Sequence, residues 1–116
     1  MTCTNQNDRF TVDDTSKGNG ALTYPVGLIT ADEVSMGGTV SGSSNSSYYL
    51  YTGNYYWTMS PYYFAVGTAD EFSVNSLGNL YSDGVYDSYG VRPVLSLKSD
   101  ISVTGSGTQN DPFLVQ

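Results

Sequence analysis

Phe72-Ser73-Val74-Asn75, then Ser76-Leu77-Gly78-Asn79, then Leu80-Tyr81-Ser82-Asp83: this run decides how the chain is read. Its first part alternates apolar and polar residues, its middle is a tight-turn sequence, and its last part returns as a second strand that stops at Gly84. That pattern specifies a β-hairpin. A chain organised around such a hairpin builds its core from short strands, and the flanking segments must supply the cover.

Upstream lies an aromatic block. Tyr48-Tyr49-Leu50-Tyr51 is followed by Tyr55-Tyr56-Trp57-Thr58-Met59-Ser60-Pro61-Tyr62-Tyr63-Phe64. β-formers dominate it, but aromatics fall on both faces. Pro61 has no amide hydrogen, so it belongs at a strand end, an edge or a bulge. Thr39 to Ser47 is rich in Ser and Gly and reads as a surface loop. Before it, Thr30 and Glu33 have capping-box spacing, Ile29 and Val34 have staple spacing, and Asp32 and Glu33 suit the positive end of a helix dipole. Gly37-Gly38 ends the pattern. A helix of about two turns over Thr30 to Met36 is expected, too short to stand unpacked. Met1 to Gly20 is polar, and an extended arm packing only around Phe10 and Val12 is expected, leaving residues 21–116 as one domain. Downstream, Val91 to Leu97 is the most hydrophobic strand candidate, with Pro93 breaking its ladder. Ile101-Ser102-Val103, the turn Gly105 to Thr108 and a closing strand Phe113-Leu114-Val115 follow. No fixed-period repeat is visible.

The 116 residues suffice for one domain with a real core. Eleven acids against four bases give a formal charge of −7, with no histidine. No basic stripe is available to displace counterions from a phosphate backbone or to dock on anionic lipid. No run of about twenty apolar residues suits membrane insertion. No charged-then-apolar signal pattern opens the sequence. A single cysteine, Cys3, excludes an internal disulfide and a multi-cysteine zinc site. Without histidine to activate it, Cys3 reads as a free thiol and no activated nucleophile is evident. The acid pairs Asp13-Asp14 and Asp70-Glu71 read as solvated loop acids, and Asp32-Glu33 as helix capping. No cofactor is expected. Calcium is the one metal worth weighing, because Asp83, Asp87 and nearby carbonyls are oxygen ligands, although the EF-hand pattern is absent and an acidic turn is the favoured reading. Arg92, set in an apolar stretch, is expected to pair with an acid or with backbone carbonyls.

Tyrosine is the outstanding signal: eleven, beside one tryptophan and four phenylalanines. With Ser, Gly and Asn it forms the palette of binding loops, since a tyrosine ring gives a large, rigid, amphipathic contact at low entropic cost. Tyr56, Trp57 and Phe72 are assigned to the core. Tyr48, Tyr49, Tyr51, Tyr55, Tyr62, Tyr63 and Tyr86 are the candidate ligand-binding residues, for a protein or glycan partner.

Several segments resemble a known family. Leu28-Ile29-Thr30-Ala31-Asp32-Glu33-Val34 with Gly37-Gly38 resembles the helix start of formylglycine-generating-enzyme-like domains. Tyr56-Trp57-Thr58-Met59-Ser60-Pro61 is similar to their tyrosine–tryptophan–serine strand, and Tyr89-Gly90-Val91-Arg92-Pro93-Val94 to their glycine–x–arginine–proline strand. The order recurs in bacterial surface proteins of C-type-lectin-like fold, including the Fibrobacter-type major paralogous domain. Gly105 to Phe113 is similar to a segment of Gram-positive surface and pilin-like proteins. The resemblance covers Tyr24 to Val115. It implies an α+β, C-type-lectin-like fold with one or two short helices, twisted antiparallel strands and extensive ordered loops. It further implies a non-catalytic recognition or adhesion module of a bacterial or phage surface protein, extracellular or at the cell surface; the alternative is a structural domain of a surface appendage. Some such domains are diversified by retroelements at Tyr-, Asn-, Ser- and Asp-rich sites. The paired copper-binding cysteines of the oxidase, and the calcium triplets and disulfides of sugar-binding lectins, are missing, so neither activity carries over.

Overall fold

The structure is a computed structural model and describes residues 5–6, 9, 11–18, 20–97, 99–108 and 110–116. Cys3 and Phe10 lie outside the described residues. The chain runs β1 (Val26–Leu28), α1 (Ala31–Met36), β2 (Tyr56–Ala65), β3 (Thr68–Val74), β4 (Leu80–Gly84), β5 (Pro93–Leu95), β6 (Val103–Thr104) and β7 (Leu114–Val115). Three small antiparallel sheets form: β1 with β5, β2-β3-β4, and β6 with β7. Short antiparallel strands with one brief helix make up the architecture.

The hairpin is where the sequence puts it. Val74 pairs with Leu80 and Phe72 with Ser82, and Asn75 closes the turn by accepting from the Leu77 and Asn79 amides. β3 begins earlier than the alternation at Phe72 indicates, because Val66-Gly67 makes a second two-residue turn back to β2. Both turn residues have positive φ, +52° and +84°, as a type I′ turn requires.

α1 forms with its complete capping box: Thr30 Oγ1 accepts from the Glu33 amide at 3.2 Å, and Glu33 accepts from the Thr30 amide at 2.9 Å. Ala31 and Val34 turn inward onto Tyr48, Tyr56, Val74 and Leu80, with Ile29, Leu50 and Phe72 packed at the margin. Val34 is fully buried, worth roughly 1.5–3 kcal/mol on its own. The Ser/Gly loop is pinned rather than loose, since buried Thr39 donates to the Gly78 carbonyl at 2.6 Å. Gly78 cannot carry a side chain: its φ is +74° and a Cβ would lie 2.1 Å from the Asn45 carbonyl oxygen.

Three expectations need correction. Tyr48 to Tyr51 forms turns, closed by the Tyr51 amide on the Tyr48 carbonyl at 3.0 Å, not a strand. The strand expected over Val91 to Leu97 is confined to Pro93–Leu95 and lies exposed against β1; Pro93 opens it instead of interrupting it. Near the N-terminus, the buried residue among those described is Thr11 and not Val12: Thr11 Oγ1 donates within the loop to the Gly20 and Lys17 carbonyls, while Val12 is exposed.

Candidate recognition surface

Cross-strand partners point to the same side of a sheet, so the register of β2-β3-β4 sorts its side chains. Tyr56, Val74 and Leu80 lie on the inner side, with Phe72 and Ser82. α1 and Tyr48 cover that half. Trp57, Ser73 and Tyr81 lie on the outer side, with Pro61, Glu71 and Asp83.

β2 does not keep step with β3. Between the Trp57–Ser73 and Pro61–Glu71 pairs it holds extra residues, and it does so again between Pro61–Glu71 and Tyr63–Asp70. The first irregularity serves the core: Thr58 donates to the Phe72 carbonyl, the Met59 amide reaches the Ile29 carbonyl, and Ser60 accepts from the Ala31 amide. The second is a bulge that re-aims a side chain. Tyr63 faces inward opposite Asp70, and Tyr62, its neighbour, packs edge-on against inward-facing Phe72 with centroids 5.0 Å apart. Two consecutive tyrosines thus share one face. Gly84, opposite Asp70, leaves room for the Tyr86 ring, which sits where a Gly84 Cβ would be, within 2.3 Å. Tyr62, Tyr63 and Tyr86 therefore gather on the inner side beyond the core, exposed by 55%, 57% and 81%.

On the outer side, Tyr89 is stacked between Tyr55 and Trp57, with centroids 4.7 and 4.8 Å apart. Its hydroxyl bonds Asp83, which also accepts from Ser73 Oγ at 2.6 Å. Partial burial, then the Asp83 charge and hydrogen bond, with Asp87 and Tyr55 adding, push the Tyr89 phenol up to about 12. Pro61, Phe64, Ala69, Glu71 and Val85, together with Tyr62, Tyr63 and Asp70, line an open groove of about 380 Å³. Burial raises the Glu71 pKa, and no other group contributes. Among the described residues, no three His, Cys, Asp or Glu side chains gather to hold a metal ion, and no helix is long and apolar enough to cross a membrane.

The seven candidate tyrosines divide. Tyr62, Tyr63 and Tyr86 come together. Tyr55 belongs to the outer stack, Tyr49 stands alone and exposed, and Tyr51 lies over the core edge, its hydroxyl on the Ser76 carbonyl at 3.2 Å. Tyr48 is a correction: it is buried, its hydroxyl 2.5 Å from that of Tyr56, and it presents no ring to a ligand. Burial drives its pKa upward, and the Tyr56 hydroxyl adds to the effect. Trp57 is a second correction, since the strand alternation that buries Tyr56 sends Trp57 to the outer stack. Arg92 meets its expectation by donating to the Leu50 carbonyl while lying 4.9 Å over the Tyr56 ring.

No family model, curated protein or solved structure matches the chain. The site therefore has to be interpreted from its own chemistry. Tyr89, Phe64 and Val85 were not assigned to a site from the sequence, and Glu71, expected with Asp70 as a solvated loop acid, lies half-buried in β3 instead. The first stands alone among turn residues, and the others become neighbours only through the register of three strands.

Proposed function

We propose that the protein is a non-catalytic recognition or adhesion module, of C-type-lectin-like fold, in a bacterial or phage surface protein, and that it binds a protein or glycan at the cell exterior through aromatic contacts. One observation carries this reading: Tyr62, Tyr63 and Tyr86 stand exposed together on one sheet face, held there by a bulge and a glycine. Exposed aromatic rings set on a rigid strand pair lose little entropy on binding and offer both apolar area and hydroxyl groups. Contiguous exposed apolar surface on a small domain marks an interaction site. An enzyme would need a tuned acid–base pair or an activated nucleophile facing a cleft. Asp83 is tied to Ser73 and Tyr89, and Glu71, in the open groove, has no hydrogen-bond partner among the described residues with which to form such a pair.

The test is array binding. Wild-type protein and a Tyr62→Ala/Tyr63→Ala variant are applied to glycan and protein arrays, with folding checked by circular dichroism. Binding that falls at least tenfold in the folded variant supports the reading. Binding retained in full moves the site elsewhere. No binding, together with reversible self-association, favours the assembly-domain alternative.

A further inference from the structure

We propose that the open edge of β2 from Pro61 to Phe64 accepts an extended basic peptide segment as an added strand, with a Lys or Arg of that segment lying across Pro61 and Phe64 and ending on Glu71. This rests on the recognition reading above and narrows its partner from protein or glycan to a peptide of stated charge.

The edge is the first ground. β2 is the terminal strand of its sheet. Its first half is already occupied on the outer edge: the Trp57 amide donates to the Gly90 carbonyl, the Gly90 amide to the Tyr55 carbonyl, and the Met59 amide to the Ile29 carbonyl. Beyond Met59 no described residue bonds that edge, although the strand runs on to Ala65. Natural edges are usually blunted by lysine, proline or a bulge. Here Pro61 and the bulge at Tyr62 guard the start of the segment, and Tyr63-Phe64 beyond them remain open. Added strands gain affinity from the main chain and specificity from alternate side chains.

Charge is the second ground. The groove beside the edge has Glu71 among its lining residues, raised by burial with no donor or cation nearby. Asp70 also lines the groove, and Asp83 pairs across from Glu71. Both arginines are engaged elsewhere: Arg92 on the Leu50 carbonyl and the Tyr56 ring, Arg9 on Gln6. Strands lie about 4.8 Å apart, so an added strand would run about 10 Å from β3, within reach of a long basic side chain crossing an apolar ledge to a glutamate. An aromatic ring on the way adds a cation–π contact. A second copy of this chain is disfavoured, because its net charge of −7 would bring like charges to the edge. A neutral sugar carries no charge to answer Glu71 and Asp70.

The experiment is fluorescence anisotropy with a labelled peptide of alternating Thr and Lys. The same peptide with Glu for Lys, and one N-methylated at alternate amides, are the controls. The lysine peptide is expected to bind and to weaken with salt, and both controls to fail. Glu71→Gln and Phe64→Ala should each weaken binding about tenfold while remaining folded. Equal binding by Glu71→Gln, or equal binding of the glutamate or N-methylated peptide, overturns the proposal. Edge-to-edge dimers seen by sedimentation without peptide overturn it in favour of a second copy. Array binding lost in Tyr62→Ala/Tyr63→Ala, without any response to the lysine peptide, sinks this proposal and leaves the recognition reading standing.

Discussion

Val66 occupies the tip of the β2–β3 hairpin with φ +52°, the sole non-glycine among the described residues with positive φ. A β-branched residue is poorly suited to that region, because its Cβ and methyl groups crowd the backbone. The left-handed conformation costs a side-chain-bearing residue about 1–2 kcal/mol, and Asn tolerates it best after Gly. The side chain recovers nothing by packing, since Val66 is fully exposed. Val66→Asn should therefore stabilise the fold by about 1 kcal/mol, converting the turn to the favoured Asn-Gly pair. Unfolding entropy of about 2.1 cal/mol/K per residue gives a chain of this size about 0.24 kcal/mol/K, so the thermal midpoint should rise by about 4 °C. The assay is differential scanning calorimetry of both proteins, backed by urea unfolding. An unchanged or lowered midpoint would refute the strained-turn argument. Phe64 stands two residues away on the groove wall, and strain kept at a binding tip is a common trade of stability for function. The lysine-peptide affinity of Val66→Asn then reports whether the valine itself touches the partner.

Other expectations follow from the core and the stack. Tyr48→Phe and Tyr56→Phe each leave a buried hydroxyl without its partner and should cost about 1–2 kcal/mol, whereas the double variant should cost less than the sum; urea unfolding of all four proteins measures the coupling. Thr30→Ala removes the capping box and should cost about 1 kcal/mol in the same assay. Gly78→Ala drives a Cβ into the Asn45 carbonyl and should lower the thermal midpoint more than any cap variant. The Tyr89 phenol is raised to about 12 when folded and ionises near 10 when unfolded. Its contribution to stability is intact below about pH 10 and is lost as the pH climbs toward 12. Tyr89→Phe should flatten that alkaline decline, read from urea midpoints between pH 8 and 12.

The sequence made local features legible where local chemistry is decisive. The capping box, the Asn75-to-Asn79 turn and the Pro61 irregularity all rest on contacts within a few residues, and each is present. The β2–β3 turn was not legible, because Val66 is an unsuitable residue that tertiary pairing on both sides forces into place. The aromatic run from Tyr48 to Tyr51 also misled, since β-propensity describes fit to a half-buried pleated surface and not a backbone preference. Tyr48 instead enters the core from a turn, with its hydroxyl capping that of Tyr56.

The site was half legible for a definite physical reason. Composition finds tyrosines but cannot say which face each one meets, because a single extra residue reverses the parity of everything after it. In β2 that happens between Pro61 and Tyr63, whereas the irregularity before Pro61 holds two extra residues and leaves the parity unchanged. Without the bulge, Tyr62 and Tyr63 would point to opposite sides and no cluster with Tyr86 would exist. The same shift turns Phe64 to the side of Pro61 and Glu71, where it walls the groove. One irregularity therefore builds both surfaces, the inner tyrosine cluster and the outer groove. The consequence is that deleting Tyr62 would leave Tyr63 opposite Asp70 and Phe64 opposite Ala69, so it should weaken binding at the tyrosine cluster and spare the Phe64–Glu71 wall, whereas Tyr63→Ala, at a residue that also lines the groove, should weaken both.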